Sequence, residues 1–308
     1  MEGGVIMSDS NDHLDYRSGN GVAIITLNRP AQLNAVTRAM CVGFAGLLDR
    51  ADADDGVRAV IVTGAGRAFC AGADLNATDS SISTEGRTAG DPRNAAIRAD
   101  GSVDWSDPSM RDLGGLMTLR LFDCLKPVIV AFNGAAAGVG VTLALAADFR
   151  LAASTAKFSL PFVRRGIVPE SASSWFLPRI VGIAKALDWT LTGRVFPASE
   201  ALASGLVQSL HEPEDLMEAA LGIAGTIAEH TAPVSVALAR QMLWKSLGVD
   251  HPMEAHKIES RGVFARARTG DLVEGVASFK EKRLPEFQNR VSTDMPEFYP
   301  WWQPRAYE

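Results

Sequence analysis

The stretch from Lys126 to Asp148 constrains the fold more than any other part of the sequence. It reads KPVIVAFNGAAAGVGVTLALAAD, so an apolar run rich in Val and Ile enters a turn of glycine and alanine and leaves as an apolar helix. The first N–H groups of a helix have no intrahelical partner and carry the positive end of its dipole, so they stabilise an anion. Glycines at positions 134, 138 and 140 let a ligand approach the backbone closely. The pattern predicts a turn that stabilises an anion at the N–H of Val139.

Other structures could use the same stretch. The uncharged run of 21 residues from Pro127 to Ala147 is long enough for a transmembrane helix. Asn133 and three glycines interrupt this run, and its first third resembles a buried strand, so the membrane alternative is disfavoured. A dinucleotide-binding turn fits poorly, because Leu143 stands where the third glycine of the GxGxxG pattern belongs. A strand, turn and helix whose glycines serve packing alone stays open as an alternative.

Composition limits the kind of protein. With 308 residues and 47% hydrophobic content, the chain can bury a large core, and we expect one domain with an appended helical end. A net charge of −6 without a basic run disfavours nucleic acid as a partner. The odd set of cysteines, Cys41, Cys70 and Cys124, is typical of core residues in a reducing, cytoplasmic compartment. His251 and His256 do not share one helical face, so no metal site is expected.

The N-terminal segment and the body of the chain differ in character. Residues 1–12 are acidic and polar and lack the basic segment and apolar core of a signal peptide, so we expect a disordered tail. From residue 13 to residue 210, apolar runs of strand length alternate with runs of helical periodicity. The first two strands flank Ser18-Gly19-Asn20-Gly21, which is a hairpin signal. Residues 13–210 are therefore predicted to form an α/β core.

Three further segments complete the predicted organisation. Residues 211–288 are predicted to form amphipathic helices, with Pro233 and Pro252 near helix starts. Residues 289–308 form a C-terminal tail whose aromatic side chains we expect to pack on a neighbouring subunit. The polar segment 76–108 has two interpretations, a mobile loop beside the site or a disordered insertion without function.

A second turn of small residues, from Phe69 to Leu75, also follows a buried strand. Two such turns, each able to offer a backbone N–H group, predict an oxyanion hole whose donors are Ala73 and Val139. Asp74 is predicted to fix the second turn by accepting hydrogen bonds from backbone N–H groups.

Four motifs in a fixed order carry a resemblance to a known family. They are LNRP at 27–30 with NA at 34–35, AFCAGADL at 68–75, NG at 133–134 with GVG at 138–140 and LALAAD at 143–148, and FKEKR at 279–283 with Pro285 and Phe287. From about residue 13 to residue 287 the chain resembles the crotonase, or enoyl-CoA hydratase/isomerase, superfamily. The resemblance implies an α/β spiral of ββα repeats with a helical C-terminal trimerisation region. It also implies a homotrimer, or a hexamer built as a dimer of trimers, that acts on acyl-CoA thioesters without a permanently bound cofactor.

The resemblance implies roles for particular residues. The N–H groups of Ala73 and Val139 would hold the thioester carbonyl and stabilise an enolate. The family commonly has glycine or alanine at position 139, so valine narrows the pocket. Residues implied to lie along the CoA moiety or to let it approach are Arg29, Asn34, Ala35, Ala71, Gly72, Asp74, Leu75, Gly138 and Gly140, with Lys282 near the phosphates.

The acidic positions depart from those of typical hydratases. Where hydratases carry two glutamates, this chain has Thr142 and Phe162. The nearest acid is Glu170, in PESASS at 169–174, a pattern similar to that of single-acid enoyl-CoA isomerases. One carboxylate can take a proton and return it at another carbon, so we expect double-bond isomerisation with Glu170 as acid and base. Hydration by Glu170 alone, a non-catalytic acyl-CoA-binding subunit, and a merely structural Glu170 that caps the helix predicted from Ser171 are the alternatives.

Overall fold

The structure is a computed structural model that describes residues 7–11, 13–75 and 92–307. The strands are β1 (Met7–Asn11), β2 (Leu14–Gly19), β3 (Val22–Leu27), β4 (Ala59–Gly64), β5 (Ala68–Cys70), β6 (Val128–Phe132), β7 (Ala135–Ala137), β8 (Phe149–Ala153), β9 (Lys157–Ser159), β10 (Val195–Pro197) and β11 (Ser209–His211). The α-helices are α1 (Arg38–Ala53), α2 (Leu113–Asp123), α3 (Val139–Thr142), α4 (Ser173–Val181), α5 (Ile183–Thr192), α6 (Ala198–Ala203), α7 (Leu216–His230), α8 (Pro233–Ser246), α9 (Pro252–Arg266) and α10 (Gly270–Glu281). Short 3-10 helices cover Pro30–Gln32, Pro92–Ala96, Pro108–Met110, Leu143–Ala146 and Val163–Arg165.

The strands form two sheets. The larger sheet has the order β1-β2-β3-β4-β6-β8-β11, and the smaller has the order β10-β9-β7-β5. Successive strand pairs, β4 with β5, β6 with β7, and β8 with β9, each place their first strand in the larger sheet and their second in the smaller one. Parallel pairing joins these neighbours within each sheet. The chain therefore advances as a spiral of ββα repeats, as predicted.

The central strands of the larger sheet are buried on both faces, which explains why they read as continuous apolar runs. On one face, Val60 and Val128 belong to the main core with residues of α1 and α2. On the other face, Ile61 and Ile129 belong to a second cluster with residues of α7. The sheet is thus held between layers of helices, and its strand ends and following turns are fixed in position.

Local signals set several helix starts. Thr37 caps α1, because its side chain accepts a hydrogen bond from the N–H of Met40. Pro233 and Pro252 occupy the first turns of α8 and α9, as predicted. Cys41, Cys70 and Cys124 are free and buried, in agreement with their predicted place in the core.

The structure corrects some expectations. Residues 7–11 pair antiparallel with β2 as β1, so the prediction of a disordered tail over residues 1–12 is wrong for this part. The helix predicted after Gly138 is a single α-turn followed by a 3-10 turn. Residues 76–91 of the polar segment lie outside the described residues. Within the described ranges, every helix is too short or too polar to cross a membrane.

The aromatic C-terminal tail contacts its own chain, and its predicted packing on a neighbouring subunit stays a prediction. Lys245 Nζ lies 4.5 Å from the ring centre of Trp302. Further along, the guanidinium of Arg111 lies 5.3 Å from the ring centre of Tyr307. The tail therefore runs from α8 toward the start of α2.

Candidate active site

Two glycine-containing turns meet at the carboxyl ends of neighbouring strands of the smaller sheet. Gly72 follows β5 with φ +109°, and Gly138 follows β7 with φ +53°, and both values favour glycine. A Cβ added at Gly138 would lie 3.9 Å from the Cα of Gly72. The two predicted turns are therefore in contact.

A close approach between α3 and β5 holds the second donor in place. A Cβ at Gly140 would lie 2.3 Å from the carbonyl oxygen of Cys70, so only glycine lets α3 pack there. Val36 donates to Gly72 and accepts from Asp74, which leaves the Ala73 N–H between them free of that bridge. Within the described ranges, neither the Ala73 N–H nor the Val139 N–H has a hydrogen-bond acceptor. Two unpaired N–H donors on touching turns can receive one oxyanion.

The segment after β3 braces the first turn through side chains. Asn34 is fully buried, donates to the carbonyl oxygens of Ala65 and Ala68, and accepts from the N–H of Arg29. The guanidinium of Arg29 in turn donates to the carbonyl oxygen of Ala35 at 2.6 Å and pairs with Asp74 at 2.8 Å. Arg29, Asn34 and Asp74 therefore link two of the predicted motifs through side-chain contacts within the protein.

The other residues predicted to lie near the CoA moiety occupy two different places in the structure. Ala35, Ala71, Gly72 and Leu75 lie along the same braced turns, and Gly138 and Gly140 flank Val139. Lys282 is exposed at the end of α10, and none of its contacts in the described chain brings it to either turn. Its predicted place near the CoA phosphates stays a prediction.

Glu170 lies beside the second turn. Its Oε1 accepts a 2.6 Å hydrogen bond from the hydroxyl of Thr142, three residues after Val139 on α3, and its Oε2 accepts from the hydroxyl of Ser171. Burial raises the pKa of Glu170 to about 7, against the two hydroxyl donors, which lower it, while the nearby carboxylate of Asp112 adds to the increase. A carboxyl with this pKa can both accept and donate a proton near neutral pH.

The alternative in which Glu170 merely caps the next helix is wrong. Helix α4 begins at Ser173, its N-cap residue is Ala172, and no side chain caps it. Ser171 and Ala172 have φ of +59° and +52°, and such non-glycine residues cost roughly 1 kcal/mol or more each. This strained turn accompanies a Glu170 side chain that points toward α3 rather than toward α4.

Thr142 and Phe162 occupy the two positions at which typical hydratases carry glutamate, and each has a different role here. Thr142 is fully buried and binds Glu170 through its hydroxyl. The ring of Phe162 lies 3.9 Å from where a Cβ of Gly138 would be, so an apolar side chain closes that side of the turn. Among the described residues, Glu170 is therefore the glutamate of this site, and neither of the two positions typical of hydratases holds one.

Sequence reasoning missed the contribution of α2. Asp112 caps this helix, accepting from the N–H of Gly115 at 2.5 Å, and also accepts from the N–H of Ser171 at 3.0 Å. A Cβ at Gly114 would lie 1.9 Å from Oε2 of Glu170. The adjacent glycines 114 and 115 were the available signal, because each weakens a helix by about 1 kcal/mol relative to alanine and needs a reason. Among the described residues, no group of three or more His, Cys, Asp or Glu side chains could hold a metal ion.

Comparison with known proteins identifies the family. The model of the enoyl-CoA hydratase/isomerase family matches residues 17–92 and 110–290. The enoyl-CoA hydratase ACTT3 of Alternaria alternata is 39% identical over 282 residues, covering 91% of this chain and 88% of that protein. The 1,2-epoxyphenylacetyl-CoA isomerase of Escherichia coli (strain K12) is 34% identical over 274 residues, with 88% of this chain and 96% of the relative covered.

The crystal structure of an enoyl-CoA hydratase from Bacillus anthracis superposes with a TM-score of 0.74 at 30% identity, covering 92% of this chain and 98% of that one. The fold thus has a solved counterpart along nearly its whole length. Since the family match and these relatives all extend through both turns and Glu170, the chain belongs to the enoyl-CoA hydratase/isomerase family, the crotonase superfamily.

Proposed function

We propose that the protein isomerises the double bond of enoyl-CoA thioesters through an enolate, with Glu170 as the one acid and base. The observation that carries the proposal is the Glu170 carboxyl beside the second turn, which has a pKa of about 7 and accepts hydrogen bonds from two hydroxyls. Both positions at which typical hydratases carry glutamate hold other residues, Thr142 and Phe162.

The chemistry follows from these groups. In a 3-enoyl-CoA, the thioester carbonyl and the double bond both acidify the Cα protons. The Glu170 carboxylate takes one of them, and negative charge moves to the thioester oxygen, where the N–H groups of Ala73 and Val139 receive it. Each such donor lowers the barrier by roughly 3 to 4 kcal/mol in a site from which water is excluded.

The second half of the reaction returns the same proton. Glu170, now protonated, delivers it to Cγ, so the double bond moves into conjugation with the thioester and the carboxylate is restored. One group suffices for both transfers, and its pKa near the operating pH suits both directions of proton movement. The CoA moiety would lie along the turns that Arg29, Asn34 and Asp74 brace, and Val139 would limit the width of the acyl chain.

Hydration is the second candidate. A relative with 39% identity is named an enoyl-CoA hydratase, and this favours addition of water to a 2-enoyl-CoA. Glu170 would then have to activate water at Cβ and supply the proton at Cα in turn.

A paired assay separates the candidates. The purified protein is given 2-enoyl-CoA and 3-enoyl-CoA in parallel, and products are identified by chromatography. We expect conversion of the 3-enoyl to the 2-enoyl thioester, and a loss of at least about 100-fold in Glu170→Gln. Glu229→Gln, at an exposed position on α7, is the matched control and retains activity.

Three results would contradict the proposal in different ways. Formation of 3-hydroxyacyl-CoA from the 2-enoyl substrate without isomerisation supports hydration instead. Unchanged turnover in Glu170→Gln removes Glu170 from the chemistry. Binding of acyl-CoA without turnover of either substrate supports a non-catalytic subunit.

A further inference from the structure

Asp112 and Gly114, at the start of α2, lie close to Glu170. Asp112 Oδ1 accepts from the N–H of Ser171, while the hydroxyl of Ser171 donates to Oε2 of Glu170. The carboxylate of Asp112 is also near enough to raise the pKa of the Glu170 carboxyl. Gly114 is in contact with the same oxygen of Glu170, since a Cβ there would lie 1.9 Å away. A second carboxyl, 58 positions earlier in the sequence, therefore belongs to the surroundings of the acid and base.

We propose that Asp112 is a positioning residue that acts through Glu170, fixing the Ser171 turn and placing a carboxylate beside the Glu170 carboxyl. The proposal rests on the proposed function, in which Glu170 transfers that proton. Two neighbouring carboxylates do not ionise together at little cost, so the carboxylate of Asp112 raises the pKa of Glu170. Glu170 would therefore keep its proton to a higher pH than it would without Asp112.

Other groups face Glu170, and they cannot replace Asp112. The thiols of Cys41 on α1 and Cys70 on β5 both interact with it, but burial raises the pKa of each to about 12, so they carry no charge at neutral pH. Arg38, also on α1, lowers the pKa of the Cys41 thiol. Thr142 and Ser171 approach Glu170 with neutral hydroxyls. Asp112 is thus the other carboxyl that the described contacts place near Glu170, through Ser171.

Asp112→Asn tests the charge without removing the cap. Asparagine is about as good an N-cap residue as aspartate, and its amide oxygen can accept from the N–H groups of Gly115 and Ser171. The substitution removes the negative charge beside Glu170 and keeps the shape. The matched control is Asp107→Asn, which makes the same change at the cap of the preceding 3-10 helix, where Asp107 accepts from Ser109.

Two readouts are compared in the intact protein. The first is the midpoint at which the Glu170 carboxyl titrates, followed by carbon-13 NMR of labelled glutamate and assigned by its absence in Glu170→Gln. The second is the acidic limb of the pH profile of kcat/KM. We expect both to move to lower pH by about one pH unit in Asp112→Asn and to stay in place in Asp107→Asn. Asp112→Ser, which also keeps a capping oxygen, is expected to give the same shift should the asparagine variant fold poorly.

The outcomes separate this inference from the proposed function. An unchanged or higher Glu170 titration midpoint in Asp112→Asn overturns the role of Asp112, even where Glu170→Gln is inactive. An equal shift in Asp107→Asn overturns it as well, since the effect would then be general charge loss on this segment. Full activity of Glu170→Gln overturns the proposed function, while the NMR titration still reports whether the two carboxyls are coupled.

Discussion

Thr142 occupies a position where a typical hydratase has a glutamate, yet its hydroxyl serves the remaining carboxyl. Its hydrogen bond to Oε1 of Glu170 favours the ionised form and lowers the pKa that burial raises. Thr142→Val has a similar shape and removes the donor. We expect the acidic limb of kcat/KM to move to higher pH by about half a unit to one unit, so that activity falls several-fold at pH 7 and recovers at pH 9.

Two variants control for this prediction. Thr142→Ser retains a hydroxyl and should keep the limb near its wild-type position. Thr118→Val, on α2, also removes a fully buried hydroxyl, but that hydroxyl has no partner among the described residues and its loss should leave the profile unchanged. If the acidic limb of kcat/KM does not move in Thr142→Val, the hydrogen bond does not lower the pKa of Glu170.

Glu170 also links catalysis to stability. Its pKa is about 7 in the folded protein, above its ordinary value, so the folded state binds more protons between about pH 4.5 and pH 7. Stability therefore falls as pH rises through this interval. Glu170→Gln removes the free-energy cost of ionising a buried carboxyl. We therefore expect the free energy of unfolding of this variant to exceed that of the wild type by up to roughly 3 kcal/mol at pH 8, at about 1.4 kcal/mol per pH unit.

Urea unfolding at a series of pH values checks this expectation. The gain should shrink as pH falls toward 5, and the same substitution at the exposed Glu229 should produce no such trend. A Gln variant that is less stable than the wild type at pH 8, or whose difference ignores pH, would contradict the effect of burial on Glu170.

Among the elements, helix α2 contains the adjacent glycines 114 and 115, which weaken it. Gly114 leaves room for the carboxyl of Glu170. Gly114→Ala would ordinarily stabilise a helix by about 1 kcal/mol. Here the new methyl group would lie 1.9 Å from Oε2 of Glu170 and 2.1 Å from the hydroxyl of Ser171, so the carboxyl must move. We expect kcat to fall about 10- to 100-fold, as misplacement of a catalytic group by about 1 Å does.

Gly46→Ala is the matched control for α2. Gly46 lies within α1, and among the described residues no atom is within 4 Å of where its Cβ would be. This variant should gain up to about 1 kcal/mol in thermal or urea unfolding and keep full activity. Equal kcat in the wild type and Gly114→Ala would show that α2 does not hold the Glu170 carboxyl in place.

Periodicity and turn chemistry predicted most elements around the site, because these signals are local. The hairpin at Ser18-Gly19-Asn20-Gly21, the capped helix α1 and the buried strand β6 follow from neighbouring residues. The length of α3 did not follow, since its apolar sequence suits a longer helix and the turn is set by packing against β5. Local sequence also could not show that α4 starts beyond the strained Ser171 turn.

For the whole molecule, the spiral was predictable from ordered motifs, whereas the surroundings of Glu170 were not. The motifs mark turns that each ββα repeat places at corresponding strand ends. Asp112 comes close to Glu170 only when α2 packs beside α3 and the turn before α4, and no spacing in the sequence encodes this packing. Sequence reasoning therefore omitted Asp112, one of the side chains that affect the pKa of Glu170.

The helical C-terminal part presents apolar side chains that a single copy of the chain leaves exposed. On α9 and α10, Phe264 is 64% exposed, Val273 is 70% exposed and Phe279 is 84% exposed. We infer that these residues belong to the subunit contact of the trimer, or dimer of trimers, that the family resemblance implies. We expect Phe279→Asp to shift the protein to smaller species in analytical ultracentrifugation, because a carboxylate would be buried in the subunit contact. Val42→Asp, on the exposed side of α1, should sediment as the wild type does; a monomeric wild type, or a Phe279→Asp variant of unchanged mass, would exclude α10 from the assembly.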